Sequence, residues 1–406
     1  MTALRDLIKN PTAAELELVA RYAMLPEDAR RERAFTAFAE TGLPHRRMEA
    51  WKWTDFKAAL TAVESPKGES AADPLVDGAD LVFRFTPNGL SYPDKLPDGL
   101  RMLAKPDAEA FGAAEDLPLG AMTAALSGHK KSPGTLVFEV TDSVAERLHF
   151  VFDGAGEANF GRCVFVVREG ASLKLSESYL GGAGLTSSLF EFDLKDGASL
   201  NRTIYQRGGK DEAVAVTAVI SLDKEAEFTQ TTLAFGAKVS RLETRVTHRA
   251  EGAKAILNAA YLSGLDFHSD ITTHVRHGAP RCTTQQVTKG AVMDGGKGIF
   301  QGKFMVPRNV GQHTDADMQH HALLLEEGAE VFAKPELEIY ADDVECAHGN
   351  TCGALDDSAL FYMRQRGLPE AEARALLTEA FVAEAFAETD DLESVLREEA
   401  AKWLGV

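Results

Sequence analysis

Two cysteines and a histidine fall within seven residues in the stretch 341-ADDVECAHGNTCG-353. Thiolate sulfur and imidazole nitrogen are good ligands for iron or zinc. Cys346 and His348 are two positions apart, and alternate residues of a β-strand share a face. If this stretch ends a strand, both side chains point the same way. The alternative is a buried turn, in which Cys352 simply fills a small apolar gap.

Histidines are concentrated in the same part of the chain. On stacked coils, residues one period apart lie above one another, so these histidines and Cys282 can form a polar ladder on one flank. For any single histidine, a solvent-facing or strand-capping role is the simpler interpretation. Two ligands do not complete a metal site, so Cys346 and His348 would need others from different coils or another chain. Seven of the eleven histidines lie in this span: His268, His274, His277, His313, His320, His321 and His348.

The common catalytic motifs are absent from the sequence. The nearest approach to a nucleotide-binding loop is 295-GGKGIFQGKF-304, but Lys297 stands where glycine is needed and Phe304 replaces the magnesium-binding hydroxyl. No GxSxG, HExxH or CxxC pattern occurs. Acidic residues are so abundant that no carboxylate pair stands out. The sequence therefore predicts no ATP hydrolysis by this chain.

Charge and composition restrict the classes of partner. The chain has 406 residues, with 62 acidic and 43 basic side chains and a formal net charge of -19. Such an acidic protein is a poor binder of DNA, RNA or anionic lipid. No signal-peptide core and no apolar run long enough to span a membrane is present. Four scattered cysteines indicate reduced thiols rather than a disulfide framework, so we expect a cytoplasmic protein.

A repeat in the middle of the chain predicts how these residues are positioned. After residue 133, short β-rich runs are separated by corners such as 169-EGASLKL-175 and 196-DGASLNR-202. The intervals between corner alanines are 27, 28, 27, 26 and 50 residues, and the last is close to two periods. A fixed period with strands in each unit indicates a β-helix, although a β-sandwich also produces short strands and turns. The corner alanines are Ala171, Ala198, Ala226, Ala253, Ala279 and Ala329.

We therefore expect a mainly β protein with a right-handed parallel β-helix core and α-helical regions at both ends. The predicted divisions are an N-terminal helical region at 1–60, a linker and mixed segment at 61–132, the β-helix at 133–348 and a C-terminal helical region at 349–406. A short helix is predicted near 119–126. The C-terminal helices are predicted at 355–366, 369–387 and 390–404, with an apolar stripe that is more often core than interface. That stripe comprises Leu360, Phe361, Leu376 and Leu377.

Several blocks of the sequence resemble the SufB/SufD family of iron–sulfur cluster assembly proteins, and its SufD branch in particular. Residues 334–368, which contain the Cys-x-His pair, resemble the C-terminal signature of that branch. The branch differs from SufB, which has a cysteine in the segment matching 318–325 where this chain has none. Cys352 departs from the usual valine. The other matching blocks are 43-LPHRRMEAWKWTDF-56, 271-ITTHVRHGAPRCTTQQVTKG-290, 294-DGGKGIFQGKFMV-306 and 311-GQHTDADMQHHALLL-325.

The resemblance implies a non-catalytic subunit that pairs with its paralogue SufB through the β-helices. It also implies that the ATPase SufC docks on the C-terminal helical region, that a cysteine desulfurase system donates sulfur, and that a nascent cluster or iron is handled near Cys346 and His348. Reduced flavin is a further candidate cofactor of the complex. We expect SufC to dock on exposed neighbours of the apolar stripe, such as Arg364, Gln365 and Arg366. The alternatives are a β-helix enzyme acting on carbohydrate, such as a polysaccharide lyase, and a structural protein whose Cys346 is inert.

Overall fold

The computed structural model describes residues 8–65, 71–86, 89–103, 114, 116–128, 135–308, 310–387, 389 and 391–405. Strands account for 44% and helices for 21% of the structure, and the strands form a parallel β-solenoid of about eight turns. The prediction of a β-helix flanked by helices is confirmed. Parts of the expected N-terminal helical region and of the segment 61–132 lie outside the described residues.

The strands become longer and more regular along the chain, from three to six residues in β1–β3 to ten in most later coils. In chain order they are β1 Leu81–Thr86, β2 Gly89–Ser91, β3 Leu100–Met102, β4 Leu136–Val140, β5 Arg147–Phe152, β6 Asn159–Val167, β7 Ser172–Tyr179, β8 Ala183–Leu194, β9 Ser199–Gly208, β10 Asp211–Leu222, β11 Glu227–Gly236, β12 Val239–His248, β13 Lys254–Ser263, β14 His268–His277, β15 Thr283–Val292, β16 Lys297–Val306, β17 Asp315–Leu324, β18 Glu330–Ile339 and β19 Glu345–Gly353.

Two sheets enclose the solenoid interior, and from β4 onward successive strands alternate between them. Sheet A has the order β19-β17-β15-β13-β11-β9-β7-β5-β1-β2, and sheet B has the order β18-β16-β14-β12-β10-β8-β6-β4-β3. The short strands β2 and β3 pair antiparallel at the N-terminal end. At the other end, β19 pairs with β17 and β18 with β16. Among the described residues no strand follows them, so this last coil, which we call the open rung, has two free strand edges.

A column of small residues marks the tight corner before the strands of sheet A. The backbone carbonyl of each member accepts a hydrogen bond from the N–H that opens the strand of the next coil. Glycines before three members have positive φ, between 65° and 74°, which a residue without Cβ adopts at little cost. The column comprises Ala171, Ala198, Ala226, Ala253, Cys282 and Thr314.

This column corrects two predicted corners. The fifth position is Cys282 rather than Ala279, because the chain takes three more residues to reach the corner. Ala329 precedes β18 and therefore belongs to sheet B, so the interval of 50 residues does not represent two periods. Intervals within the column are 27, 28, 27, 29 and 32 residues, which means that the coils lengthen towards the open rung.

The solenoid interior changes from aromatic to mixed along its axis. Near the N-terminal end, Phe83 stacks on Phe150 with ring centroids 4.8 Å apart, and other phenylalanines continue the stack. Further along, the buried guanidinium of Arg202 donates to Glu177 from Nε at 2.6 Å and lies over Phe190. A buried charge is tolerated only when it is paired in this way. The side chains therefore fill the interior as a core.

Two groups of helices cover opposite outer faces. A capping box between Thr12 and Glu15 starts the first helix, and Asp28 caps the second. The N-terminal group packs on sheet B and the C-terminal group on sheet A, where Val382 and Leu396 belong to one apolar cluster with strand residues. The helices are α1 Ala13–Tyr22, α2 Ala29–Thr41, α3 Phe56–Ala59, α4 Pro118–Leu126, α5 Asp357–Gln365, α6 Glu370–Ala383 and α7 Glu393–Leu404.

Residues 49–55 bind the N-terminal region to sheet B near the open rung. The Trp51 ring is buried, with the guanidinium carbon of Arg241 3.8 Å from a ring centroid. Arg241 also donates to Asp270 at 2.9 Å, and the Thr54 hydroxyl donates to the same carboxylate at 2.5 Å. Charge-assisted bonds of this kind are among the stronger ones in proteins. The segment is therefore held across neighbouring strands.

Candidate functional site

Cys346 and His348 lie on β19, in the open rung. The parallel register of β19 with β17 places Cys346 beside Ala316 and His348 beside Met318. Ala316 and Met318 are fully buried in the solenoid interior. Because register neighbours in a sheet face the same side, Cys346 and His348 also face the interior. The structure thus places both side chains on one face, at the open end of the core.

The opposite wall of the open rung is apolar. On β18, Val331 and Leu337 pair in register with Gly298 and with Phe304, a core residue. Val331, Leu337 and Cys346 all pack against the main hydrophobic cluster. Cys346 is half-buried, whereas His348 is exposed. The sulfur therefore lies at the edge of the core, and the imidazole lies closer to solvent.

The surroundings of Cys346 favour a protonated thiol. Burial raises the pKa of the Cys346 thiol, and the negative charge of Asp315 raises it further. Removal from water disfavours the charged thiolate, and a nearby carboxylate adds repulsion. A bound metal cation has the opposite effect and deprotonates a coordinating thiol. In the isolated chain, Cys346 is therefore a thiol whose ionisation is disfavoured.

A hydrogen-bonded chain inside the solenoid anchors β19. His320 bonds Asn350 Oδ1 through Nδ1 at 2.6 Å and the Tyr261 hydroxyl through Nε2 at 2.9 Å, and its ring stacks on Phe300 at 4.7 Å. Burial lowers the pKa of His320 to about 4, so the ring is neutral at pH 7. Because the amide oxygen can only accept, Nδ1 carries the proton and Nε2 accepts from Tyr261. This arrangement fixes β19 two residues beyond His348.

The other three cysteines are poorly placed to bind a metal ion together with Cys346. Cys163 and Cys282 are fully buried, and burial raises the pKa of both thiols. Cys352 is exposed and shares the inward register of β19, opposite Ala322. Six residues along a strand span about 20 Å, too far for Cys346 and Cys352 to bind one metal ion.

The histidines do not form one ladder. His274 bonds Arg245, and His277 stacks on buried His248 with centroids 4.9 Å apart, both on sheet B. The histidines nearest Cys346 lie on sheet A instead, and His321 bonds Thr351. No group of three or more His, Cys, Asp or Glu side chains in the described part of the chain could hold a metal ion.

The three predicted docking residues are exposed at the end of α5. Arg366 donates to the Tyr362 hydroxyl at 2.9 Å and lies over the same ring, and Arg364 pairs with Glu370 at 3.2 Å. Gln365 is exposed between them. These contacts order the surface without burying it, because α5 contains no buried residue.

The apolar stripe is exposed or only partly buried, whereas the sequence predicted that it packs in the core. Phe361 is 64% exposed and Leu376 is 37% exposed, while Leu360 and Leu377 are partly buried. The prediction that all four pack as core was wrong. Sheet A is covered by later residues of α6 and by α7, which leaves α5 outside that contact. Tyr362 is also 59% exposed, so α5 presents an aromatic surface.

Two features were missed by reasoning from the sequence. The contact between Trp51 and Arg241 joins residues 190 positions apart. The one sign of this contact in the sequence was the aromatic and polar motif around Trp51. The chain formed by Tyr261, His320 and Asn350 has no local signal, because its members lie on three different coils.

Comparison with known proteins agrees with this architecture. Residues 150–381 match the model of the SUF system FeS cluster assembly, SufBD core domain. The chain is 28% identical to the iron–sulfur cluster assembly protein SufD of Escherichia coli (strain K12), over 89% of this chain and 87% of that protein. It is 28% identical to a SufBD family protein of Synechocystis sp., over 91% and 90%. It is 25% identical to the chloroplastic protein ABCI7 of Arabidopsis thaliana, over 89% and 82%.

None of the helices in the described residues is long and apolar enough to cross a membrane. The family match covers more than half of the chain, from within β5 through β19 and α5 to near the end of α6. Together with the parallel β-solenoid, this match shows that the chain belongs to the SufBD family of iron–sulfur cluster assembly proteins.

Proposed function

We propose that this chain is a non-catalytic scaffold subunit of the Suf machinery, which pairs with SufB through the open rung and docks the ATPase SufC on α5. The observation that carries the proposal is the open rung itself. It directs Cys346 and His348 into an unfinished end of the core and brings no third ligand to them among the described residues. A partner that extends the solenoid would cover both side chains.

The free edge of β19 can accept another strand. The Glu345 N–H donates to Thr314 on the β17 side. Because N–H groups alternate in direction along a strand, those of Cys346, His348 and Asn350 point to the free edge. An unpaired row of donors and acceptors is a template for strand addition.

The free edge of β18 lacks one hydrogen-bond donor that a regular strand edge would offer. The Glu330 N–H donates to Gly296 on the β16 side, so odd-numbered residues of β18 direct their N–H groups outward. Pro335 occupies one of these outward positions and has no N–H. The proposal therefore assigns the main strand pairing to β19.

In the assembled complex, the substrate is iron or a nascent iron–sulfur cluster. Cys346 would supply a thiolate ligand or accept sulfur, His348 would supply an imidazole, and SufB would complete the ligand set. A cysteine desulfurase system would donate the sulfur. ATP hydrolysis would take place in SufC. Reduced flavin is proposed as a cofactor of the complex rather than of this chain alone.

Replacing either ligand tests the proposal. Cys346→Ala and His348→Ala are expected to remove more than half of the iron and sulfide from the reconstituted complex, because each deletes one ligand. His313→Asn is the matched control, since His313 is exposed in a turn with φ of 56° that Asn tolerates. The measurement is iron and sulfide per complex after anaerobic reconstitution, with subunit ratios determined on the same sample.

Assembly should survive these changes, because both side chains face the interior rather than the free edge. Unaltered iron and sulfide in both variants would contradict the assigned ligands. Intact cluster content in a complex that forms without SufB would contradict the shared site.

A further inference from the structure

A cavity of about 470 Å³ lies where the strands of sheet B begin, on the outer face of the solenoid. The loop that precedes α3, together with α3 itself, forms one wall, and the first residues of β12, β14 and β16 form another. We call it the basic pocket. Its volume falls within the range of about 300–1,000 Å³ that is typical of small-molecule sites. Its lining includes Arg46, Lys52, Trp53, Lys238, Lys297 and Phe332.

Two of its four cations have a carboxylate partner. Arg46 faces Asp55 at 3.7 Å, and Lys297 faces Glu330 at 2.8 Å. Both pairs are at least partly exposed to solvent. Exposed ion pairs contribute little to stability and are readily rearranged. These two cations therefore remain able to bind an anion.

The other two cations, Lys52 and Lys238, form no ion pair within the described ranges. With four basic residues against Asp55 in the lining and Glu330 at the rim, the pocket carries a formal charge of +2. The whole chain carries -19. A cavity lined by positive charge has a positive local potential even in an acidic protein, and this potential attracts anions.

An aromatic surface lies beside the cations. The rings of Trp53 and Phe332 stack with centroids 6.0 Å apart and planes inclined by 20°. Lys52 Nζ lies 5.3 Å from the centroid of a Trp53 ring. Val239 completes this apolar side of the lining. Cationic groups next to an aromatic surface suit a ligand with an anionic end and an apolar or aromatic end.

The wall of the pocket is held in place from behind. His268 Nε2 lies 3.0 Å from the Thr54 hydroxyl, which itself donates to Asp270. Arg241 binds the same carboxylate and stacks on Trp51. This network fixes the backbone on both sides of Trp53. A pre-organised wall lowers the entropy lost on binding.

A second cavity, under α7, lacks this charge pattern. It has a volume of about 440 Å³, and its cations Arg207 and Lys402 both face Glu399, at 3.9 Å and 2.9 Å. Of these two cavities, the basic pocket is the one that combines an aromatic wall with lysines forming no ion pair in the described residues.

We infer that the basic pocket is a binding site for a small organic phosphate of nucleoside monophosphate size. The phosphate would lie between Lys52, Lys238 and Lys297, and the apolar or aromatic part would pack on Trp53. This site is separate from Cys346 and His348 and does not depend on the proposed scaffold role.

The test is isothermal titration of the full chain with adenosine 5′-monophosphate, inorganic phosphate and adenosine at low and at high salt. We expect saturable binding of the nucleotide, weaker binding of either fragment, and loss of affinity with salt. The double variant Lys52→Ala/Lys238→Ala should bind the nucleotide about tenfold more weakly, as expected when two solvent-exposed charge contacts are lost. Thermal unfolding of each variant shows that it is folded.

Lys224→Ala/Lys254→Ala is the control, because it removes the same charge from two exposed lysines outside the pocket, one in the turn before β11 and one at the start of β13 on sheet A. An equal loss of affinity in this control would overturn the inference, since it would indicate non-specific attraction. Inorganic phosphate or adenosine binding as tightly as the nucleotide would also overturn it. So would the absence of saturable binding at millimolar nucleotide.

Discussion

The depth of each sulfur atom distinguishes Cys346 from the other cysteines. Cys163 and Cys282 are sealed in the interior, and Cys352 is exposed. Cys346 lies between these extremes, in contact with the core but open to the end of the solenoid. Its raised pKa suppresses the reactive thiolate in the free chain. A bound metal cation would reverse this effect and favour the thiolate.

A second titratable residue predicts how stability depends on pH. Glu212 is fully buried on β10, where it accepts hydrogen bonds from the Thr186 hydroxyl at 2.8 Å and the Gly209 N–H at 3.2 Å. Burial raises its pKa to about 7, from an ordinary value of 4.5. The folded state therefore binds this proton more tightly than the unfolded chain. The protonated Glu212 therefore adds to the free energy of unfolding. This contribution is fully present below about pH 4.5 and is lost as the pH rises through 7.

Replacement by glutamine removes this titration. At pH 8, Glu212→Gln is expected to be more stable than the unaltered protein by up to ~3 kcal/mol, because about two and a half pKa units of ionisation cost disappear. At pH 5 the difference should fall below about 1 kcal/mol, because the folded state is then protonated. Urea denaturation at both pH values measures the difference in free energy of unfolding between the variant and the unaltered protein. Exposed Glu225 supplies the control variant Glu225→Gln, and an identical pH dependence for Glu212→Gln and the unaltered protein would refute the prediction.

At the scale of elements, the two strands of the open rung differ as pairing surfaces. β18 is interrupted by Pro335, whereas the outward N–H groups of β19 form an uninterrupted row. Parallel coils elsewhere in the solenoid satisfy these groups with the next strand. In the open rung, water or another chain must satisfy them. β19 is therefore the element on which the proposed pairing with SufB would depend.

Cys352→Pro tests the role of this edge. Its N–H points away from β17, so proline removes a donor for the incoming strand without breaking the bonds within sheet A. We expect the affinity for SufB to fall about three- to tenfold, as for one lost hydrogen bond. Cys352→Val, which removes the thiol but keeps the N–H, is the control. Binding measured by biolayer interferometry should separate the two variants, and equal affinities would show that this edge is not used.

At the scale of the whole molecule, the solenoid separates three apolar regions. One fills the interior, one joins the N-terminal helices to sheet B, and one joins α6 and α7 to sheet A. Removing residues 355–406 would uncover the third region, including buried Tyr205 and Leu233. With such a truncation, a loss of SufC docking could not be distinguished from a loss of folding. A point change on α5 is the cleaner test.

Phe361→Ser is expected to weaken SufC binding about tenfold, because it removes an exposed aromatic side chain that contributes nothing to the core. Met24→Ser is the matched control, since Met24 is 59% exposed near the end of α1, on the N-terminal side. Affinity measured by titration with purified SufC checks the prediction, with unfolding temperatures compared in parallel. Equal binding by the two variants would place the docking surface elsewhere.

Local patterns were sufficient to predict much of this protein. The repeat of about 27 residues and the short strands indicated a β-helix, and the spacing of Cys346 and His348 indicated a shared face. The sequence motifs also indicated the family. These properties depend on neighbours in the chain or on a regular period, so they can be recognised without knowing which coils meet.

Other properties were decided only by the tertiary structure. The register with Ala316 and Met318 determines that Cys346 and His348 face the interior, and the absence of a further strand in the described residues leaves them at an open end. The replacement of Ala279 by Cys282 in the corner column, and the exposure of Phe361, depend on coil length and helix placement. Each of these outcomes depends on contacts between residues far apart in sequence, for which a local pattern carries no signal.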